Sequence, residues 1–523
     1  MKEGFRQAMA WLHTWIGLIF GWLLFAIFLT GTLSYFKDEI NRWTHPEIPA
    51  RSVAASASLE RAQHYLQEHA AGASRWVISL PGERQPQLGL AWQSAAQEGR
   101  RGAFTRVSLD PQNGAEIAAR ESAGGEFFYR FHFQLQMPYP WGRWLSTAAA
   151  MLMFIALITG IITHKKIFKE FFTFRPRKGQ RSWLDGHNAL GVLVLPFHLM
   201  ITYSSLVIFM FMVMPASLMT AYGNDTRAFF ADIFPDTGGA RAAGVPAALT
   251  SLPALLASAR QHWPDGTISR VEVNRPGDAN ATVVLFRSPA DSVIRDLSQA
   301  LVFSGTSGAL QREPAPRSGP MQVSGSFYGL HIGEFAGPLL RWLYFLFGVA
   351  GTAMIGTGLV MWLRKRQLKH AVDATLPLQL RLVQVLNIAS MAGLMLAVAT
   401  FFCSNRLLPV QLAGRGDWEI TLFFSVWGMS LVHAAVRSSR QAWREQLALA
   451  GLLFTALPVL DVLTGSAYLR ASIEQGDWVL LGFDLTALAT GVFMAWAATR
   501  FAPLRHVQRG KAAAATPFES GAQ

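Results

Sequence analysis

Long apolar stretches alternate with two large polar inserts along this chain. A membrane-spanning helix needs about 20 consecutive, mostly apolar residues. The stretches that qualify are 11–36, 143–163, 187–213, 338–363, 382–403, 418–436, 447–466 and 478–499. The pattern predicts an α-helical integral membrane protein with about eight transmembrane helices. Because the first stretch is too long for a cleaved signal peptide, we expect it to remain as the first helix.

The two polar inserts have the same order of predicted elements, a short helix followed by strands. In the first, the helix is 59–69 and the strands are 76–80, 87–92 and 104–110. In the second, the helix is 247–262 and the strands are 268–274, 281–287 and 300–303. The sequences LDPQNG and FSGTSG have the composition of turns that close hairpins. We therefore expect two small α+β domains within a duplicated helix–domain–helix unit, which the last four helices lack.

The chain divides accordingly into seven segments. These are helix one (1–36), the first small domain (37–142), helices two and three with a basic loop at 164–186 (143–213), the second small domain (214–337), helix four (338–366), helices five to eight (367–500) and a tail (501–523).

Basic residues mark one side of the membrane. They follow helices two, four, six and eight: Lys165, Lys166, Lys169, Arg175, Arg177, Lys178, Arg181, Arg364, Lys365, Arg366, Lys369, Arg437, Arg440, Arg444, Arg500, Arg505, Arg509 and Lys511. Lys and Arg are enriched in cytoplasmic loops. The sequence thus predicts a multi-pass protein with both termini in the cytoplasm and both inserts in the periplasm.

Composition supports a membrane protein and excludes other classes. Only 15% of the residues are charged, against roughly 25% in a soluble domain. The net charge of +13 comes from residues beside the apolar stretches, so we expect membrane lipids and no nucleic acid as partners. Because Cys403 is the only cysteine, the chain cannot form an iron–sulfur cluster or attach a haem covalently.

The histidines carry the candidate chemistry. Six of the 13 lie at or near the ends of the first four helices: His13, His132, His164, His187, His198 and His331. Ionisable residues in a membrane are costly and commonly functional, and histidines on facing helices hold haem. The sequence therefore predicts two non-covalent, bis-histidine b-type haems whose irons these histidines bind.

The expected pairing rests on depth in the bilayer. His187 and His198 are 11 residues apart on one predicted helix, which places them on one face, about 20° from alignment and about 16.5 Å apart along the axis. Pro196 predicts a kink between them. We expect His13 with His187 on the cytoplasmic side and His198 with His331 on the periplasmic side. His164 and His132 remain alternatives, as ligands, haem-propionate partners or substrate contacts.

Glycines accompany these histidines at helical spacing. They are Gly17, Gly21, Gly160, Gly191, Gly333 and Gly337. Such positions let a flat macrocycle approach a helix backbone, but they are also typical of close helix packing in membranes.

Two other groups of residues are candidates for function. The segments 125–144 and 324–335 are rich in aromatics, and Arg130, Arg143 and Tyr328 could contact an anionic chelate there or belong to an interfacial aromatic belt. Asp461 and Asp484 lie within predicted helices. Carboxylates there indicate proton handling or a quinone pocket, and they indicate structural pairing with Arg470 or another buried donor equally well.

The source of electrons lies outside this chain. Loop 164–186 is too short for a nucleotide-binding domain, and the glycines near 348–358 lie in a predicted membrane helix rather than after a strand. We expect electrons to come from quinol in the bilayer or from a separate cytoplasmic reductase.

Three segments resemble one known family. The sequences WLHTWIGLIFGWLLFAIFLTGTLSYF, ALITGIITHKKIFKEFFTFRPRKGQRSWLDGHNALGVLVLPFHLMITYSSLVIF and FYGLHIGEFAGPLLRWLYFLFGVAGTAMIGTGLVMWLRKR resemble the PepSY-associated transmembrane proteins. The resemblance covers residues 1 to 366, including both inserts and all six histidines, so the small domains are expected to be PepSY-like. Helices five to eight depart from the shortest family members.

The resemblance also implies an activity. The family includes di-haem siderophore reductases of the bacterial inner membrane, of the ferrioxamine and ferripyoverdine types. The implied function is reduction of a periplasmic ferric siderophore, ferripyoverdine being the nearest type, with a periplasmic iron chaperone or other membrane subunits as partners. Two alternatives stay open: a haem conduit that serves a partner protein, and a non-redox binding or signalling module.

Overall fold

The computed structural model describes most of the chain. The described residues are 3–49, 53–95, 102–164, 175, 178–223, 225, 227–228, 241–296, 298–314, 316–370, 376–464 and 478–501.

Helices dominate the fold. In chain order they are α1 (Glu3–Ser34), α2 (Lys37–Thr44), α3 (Ala55–His69), α4 (Gly124–Gln134), α5 (Trp141–Thr163), α6 (Gln180–Leu193), α7 (Leu195–Ile208), α8 (Met210–Val213), α9 (Pro215–Tyr222), α10 (Leu252–His262), α11 (Gly319–Ile332), α12 (Pro338–Gln367), α13 (Leu378–Ile388), α14 (Leu394–Leu407), α15 (Arg415–Val436), α16 (Ser439–Leu463) and α17 (Trp478–Thr499). A π-helical segment, Ala389–Gly393, joins α13 to α14.

The prediction of eight spans is confirmed within the described residues. Seven helices there are long and apolar enough to cross a membrane, and the bent pair α6–α7 makes eight when it counts as one span. Large apolar side chains point outward from these helices, for example Leu339, which is 79% exposed. Such a surface requires lipid around it.

The third span is broken rather than continuous. Helix α6 ends at Leu193 and α7 begins at Leu195, with a bend of 67° between them. Pro196, at the start of α7, lacks the backbone N–H that a continuous helix would use. The predicted kink is present, but the straight-helix spacing that placed His187 and His198 on one face does not hold.

The strands of both inserts form one sheet. They are β1 (Arg75–Ser79), β2 (Leu88–Gln93), β3 (Phe104–Leu109), β4 (Ile268–Asn274), β5 (Thr282–Arg287), β6 (Ala300–Ser304) and β7 (Leu310–Arg312). The strand order is β3-β2-β1-β4-β5-β6-β7, and the two halves join where β1 pairs antiparallel with β4. The FSGTSG turn closes the β6–β7 hairpin.

The expectation of two separate small domains is therefore corrected. Each insert forms the predicted helix and strands, but Leu59, Leu66, Leu255 and Val273 belong to one shared core. Each half alone would leave an open edge strand, β1 in the first and β4 in the second. Pairing β1 with β4 closes both edges and joins the two cores.

Helices α13 to α17 pack against the first four spans. Their apolar side chains form a continuous core with α1, α4 and α12 that includes Phe128, Leu359 and Phe401. The side of the membrane region that carries α2, α4, α11 and the sheet is called the sheet side below.

Candidate functional site

The structure brings four of the six candidate histidines together in two pairs. In the first pair, the rings of His13 (α1) and His187 (α6) have centroids 6.2 Å apart and planes at 73°. His13 Nδ1 donates to the Ala156 carbonyl at 2.8 Å, and His187 Nδ1 donates to the Met354 carbonyl at 2.9 Å. Because a carbonyl oxygen only accepts, each ring has its proton on Nδ1 and a lone pair on Nε2.

The second pair lies on the sheet side. The rings of His132 (α4) and His331 (α11) have centroids 6.0 Å apart and planes at 33°. His132 Nδ1 donates to the Ile27 carbonyl at 2.8 Å. His331 Nδ1 is 2.9 Å from the Ser204 hydroxyl, which donates to the Ile201 carbonyl at 3.1 Å and so accepts from the ring. These rings also keep a lone pair on Nε2.

Three of the four rings lie against a helix at a glycine four residues beyond the accepting carbonyl. The acceptor and glycine are Ile27 with Gly31, Ala156 with Gly160, and Met354 with Gly358. A helical carbonyl points toward residue i+4, so a side chain there would cover it. A Cβ added at Gly31, Gly358 or Gly160 would lie 2.6, 3.1 or 3.2 Å from the neighbouring ring.

The residues of both pairs fit a haem iron, which the two Nε2 atoms of each pair would hold. Two imidazoles that bind one metal at about 2.0–2.1 Å place their ring centroids about 6 Å apart. Among the described residues, no hydrogen bond reaches Nε2 of any of the four rings, and no cluster of three or more His, Cys, Asp or Glu could hold a metal ion. Each pair thus offers two imidazole nitrogens, a set of donors that would suit a non-covalent haem.

The expected partner of His331 is corrected. His331 lies beside His132, whereas depth in the bilayer predicts His198 as its partner. The cause is the bend between α6 and α7. His187 and His198 contact α12 at Gly358 and Gly351, about 10 Å apart on that helix rather than about 16.5 Å.

His198 is instead enclosed between α1 and α12. Its side chain is fully buried, with Phe28 at a centroid distance of 6.4 Å. The Phe347 and Gly191 carbonyls are nearby, but neither ring nitrogen forms a hydrogen bond within the described part of the chain. His198 therefore belongs to neither pair.

His164 lies close to the first pair without joining it. It caps the end of α5, and its Nε2 is 2.9 Å from the Asn188 side-chain nitrogen. Asn188 directly follows His187 in α6. His164 therefore contacts α6 beside the first pair but is not one of its two rings.

The expected substrate residues have different surroundings. Arg130 is exposed, whereas Arg143 bonds Gln134 at 3.2 Å and covers the rings of Phe133 and Tyr139. Arg295 covers the Tyr328 ring at 4.9 Å.

Tyr129 is a neighbour of this group that the sequence did not single out. Burial raises the pKa of its phenol to about 12, with Tyr328 and Arg295 also acting on it. Its hydroxyl therefore stays protonated near neutral pH.

The two intramembrane aspartates have structural partners. Asp461 forms an ion pair with Arg406, and both side chains are about 1% exposed. Asp484 accepts from Trp43 Nε1 at 3.0 Å. Arg470, the expected partner, lies outside the described residues. Pairing with another buried donor is thus the alternative that the structure supports.

A cleft separates α12 from α17 and passes close to the first histidine pair. Its volume is about 2780 Å³, and the residues lining it are mostly apolar, with Phe493 and Leu346 more than half exposed toward lipid. Thr357 lines the cleft, and its hydroxyl is 3.4 Å from His187 Nδ1.

Comparison with known proteins places the chain in a family. Its first four spans and both inserts match the model described as "PepSY-associated TM region" over residues 10–365. An uncharacterized protein of Pseudomonas aeruginosa is 24% identical over 396 residues, which cover 72% of this chain and 95% of that protein. The chain is therefore a multi-pass membrane protein that belongs to the PepSY-associated transmembrane family.

Proposed function

We propose that this protein is a di-haem b reductase of the bacterial inner membrane that delivers electrons to a ferric siderophore in the periplasm. One observation supports this most directly: the two histidine pairs lie at two depths of the helix bundle. Helix α1 contacts both pairs: His13 belongs to the first pair, and the Ile27 carbonyl accepts from His132 of the second. These two positions are 14 residues apart on α1, or about 21 Å. Two redox centres at these depths span most of the roughly 30 Å apolar core.

The residues of each pair prepare it for metal binding. Nδ1–H donation to a carbonyl or hydroxyl fixes the ring orientation and makes Nε2 a better electron donor to a metal. When bound, a haem supplies an iron that gains and loses one electron. The apolar helices around the rings exclude water, which favours fast electron exchange without proton uptake.

Release of iron needs one electron per chelate. Siderophores bind Fe(III) through hard oxygen donors, which hold Fe(II) far more weakly. Transfer of one electron therefore frees the metal as Fe(II) and leaves the chelator intact. The surface beside the second pair carries Tyr129, Tyr328 and Arg295, and Arg295 is held over the Tyr328 ring while it forms an ion pair with Glu334. These groups would offer a chelate aromatic contacts and a guanidinium that it shares with Glu334.

Orientation follows from the basic loops. With these loops in the cytoplasm, both termini are cytoplasmic and the sheet side is periplasmic. The first pair would then receive electrons from quinol in the bilayer or from a cytoplasmic reductase. A periplasmic iron chaperone or other inner-membrane subunits would take part downstream.

The decisive experiment measures first the visible spectrum of the protein and then its oxidation by a ferric siderophore. Purified protein should show reduced-minus-oxidised b-type bands, with two haems per chain by the pyridine haemochrome assay. The reduced protein should then be reoxidised by a ferric siderophore in a stopped-flow instrument. The matched gallium chelate, which has the same shape and charge but accepts no electron, should leave it reduced.

The competing functions give other results. Two haems without reoxidation by any ferric chelate would favour a conduit that serves a partner protein. A folded, colourless protein would refute the reductase and leave a non-redox binding module.

A further inference from the structure

The carboxylate of Glu419, in α15, lies at the start of the helix that carries His132. Glu419 is fully buried, and one oxygen, Oε2, accepts from the Ser122 hydroxyl at 2.8 Å and from the Ala123 backbone N–H at 2.9 Å. Ala123 precedes α4 and offers no side-chain cap of its own. A buried carboxylate from another helix thus satisfies donors at this helix start and complements its positive dipole end.

The rest of the N-terminus of α4 is held just as closely. Gly124 N–H donates to Ser122 Oγ at 3.1 Å, and Gly125 N–H donates to Asn41 Oδ1 at 2.8 Å. A Cβ at Gly125 would lie 2.2 Å from the Lys37 carbonyl oxygen. These contacts leave α4 little freedom to shift.

Glu419 is itself fixed by partners from the C-terminal helices. Its other oxygen, Oε1, accepts from Arg415 Nη1 at 2.7 Å and from Asn405 Nδ2 at 2.8 Å. Arg415 also donates to the Glu121 carbonyl at 2.9 Å. Burying a charge pair of this kind costs desolvation energy, so the pair adds little net stability. Its hydrogen bonds instead fix one arrangement of α4, α14 and α15.

Aromatic packing extends the same interface along α4. Phe127 stacks on Phe401 with centroids 5.1 Å apart and planes at 16°, and Phe131 packs against Phe423 and Trp427. The next residue, His132, turns to α1 and the Ile27 carbonyl. Helices α14 and α15 therefore support the helix of one histidine in the second pair, whereas His13 and His187 bind to α5 and α12.

We propose that Glu419 is a positioning residue for His132, and that α14 and α15 serve to hold the second histidine pair in register. This inference rests on the proposed haem function. It assigns a role to the C-terminal helices, which lie beyond the part of the chain that matches the family model.

The test is Glu419→Gln in the full-length protein. Glutamine keeps the size but presents an amide to Arg415 or to the Ala123 N–H, so α4 loses part of its anchor. Removal of a direct hydrogen-bond partner of a metal ligand commonly weakens metal binding by about 10–100-fold. Because Glu419 acts on His132 through α4, we expect haem retention to fall by up to about tenfold, at the second pair only. The second-site signal should be lost or shifted in the low-temperature EPR spectrum of the ferric protein, and the first-site signal should not change.

Two further variants make the result specific. His132→Ala assigns the second-site signal. Glu445→Gln removes a carboxylate that bonds His433 and Arg437 at the other end of α15, and it should leave both signals intact. Should Glu419→Gln not fold, Ser122→Ala removes one donor to the same carboxylate and should shift the same signal more weakly.

The outcomes separate the two proposals. A second-site signal unchanged in Glu419→Gln, or equal losses at both sites, would overturn the positioning role while leaving the reductase intact. A wild-type protein without haem would overturn both.

Discussion

Replacing Gly31 with alanine tests whether the histidine pairs bind metal as the geometry indicates. A Cβ at Gly31 would lie 2.6 Å from His132 Nδ1, whereas ordinary contact begins at 3.4 Å. The ring must therefore move by about 0.8 Å, while a metal site tolerates about 0.2 Å in its bond lengths. The shift also strains the hydrogen bond to Ile27, whose loss costs about 1–3 kcal/mol when the donor is buried.

We expect Gly31→Ala to lose the haem of the second pair and to keep that of the first. The pyridine haemochrome assay should fall from two haems per chain to one. Gly358→Ala and Gly160→Ala require displacements of only a few tenths of an ångström. Both should keep two haems, with a shifted midpoint potential at the first pair. Gly428→Ala, where nothing lies within 4 Å of the added Cβ, is the control for helix effects.

One result would refute this reasoning. If Gly31→Ala binds two haems with unchanged spectra and potentials, then His132 does not hold a metal in the orientation described. A loss of haem in Gly428→Ala as well would show that the assay reports folding rather than the ring contact.

Three more predictions follow from the same structure. His198→Leu should keep two haems per chain by the haemochrome assay, because this ring belongs to neither pair; loss of one haem would restore it as a ligand. Asp461→Asn leaves Arg406 buried without its counter-charge and should destabilise the protein by about 3–5 kcal/mol, seen as a lower Tm, while an unchanged Tm would show that the pair is dispensable. Ser94, which directly follows β2, is exposed, so Ser94→Cys should react with a membrane-impermeant maleimide in intact cells, whereas the buried Cys403 should not. Labelling of Ser94→Cys only after lysis would reverse the proposed orientation.

Periodicity and apolar length were sufficient to predict the eight spans, one helix in each insert and the strands β1 to β6, because these depend on local patterns, although some helix ends differ by up to eight residues. They did not predict β7 or the short helices α2, α4, α9 and α11, of which α4 and α11 carry His132 and His331. The pairing of β1 with β4 was not predictable in this way. It joins residues almost 200 positions apart, and nothing in either strand specifies which edge its partner will use.

The candidate site shows the same division. The six histidines stood out because ionisable residues are rare in membrane helices, but their pairing required the third span to be straight, and Pro196 breaks it. The acceptors were also hidden, since a backbone carbonyl leaves no mark in the sequence. Gly31 and Gly358 mark the positions of two of these carbonyls, but this is recognisable only once the structure shows which ring lies against each glycine.

The duplication in the sequence contains the information that would have chosen the correct pairs. Helices α1 to α5 and α6 to α12 form the two halves, and each half supplies one histidine to each pair. His13 binds α5 and His187 binds α12, the last helix of the same half in each case.

His132 and His331 of the second pair repeat this relation on the first span of each half, which is α1 in the first half and the bent pair α6–α7 in the second. His132 bonds Ile27, 14 residues after His13. His331 reaches Ser204, whose hydroxyl bonds Ile201, 14 residues after His187. His198 and His164 lack counterparts, since the matching position for His198, 11 residues after His13, is Leu24. A histidine with a counterpart in the other half is therefore the stronger ligand candidate, and the repeat predicts the pairing that helix spacing alone did not.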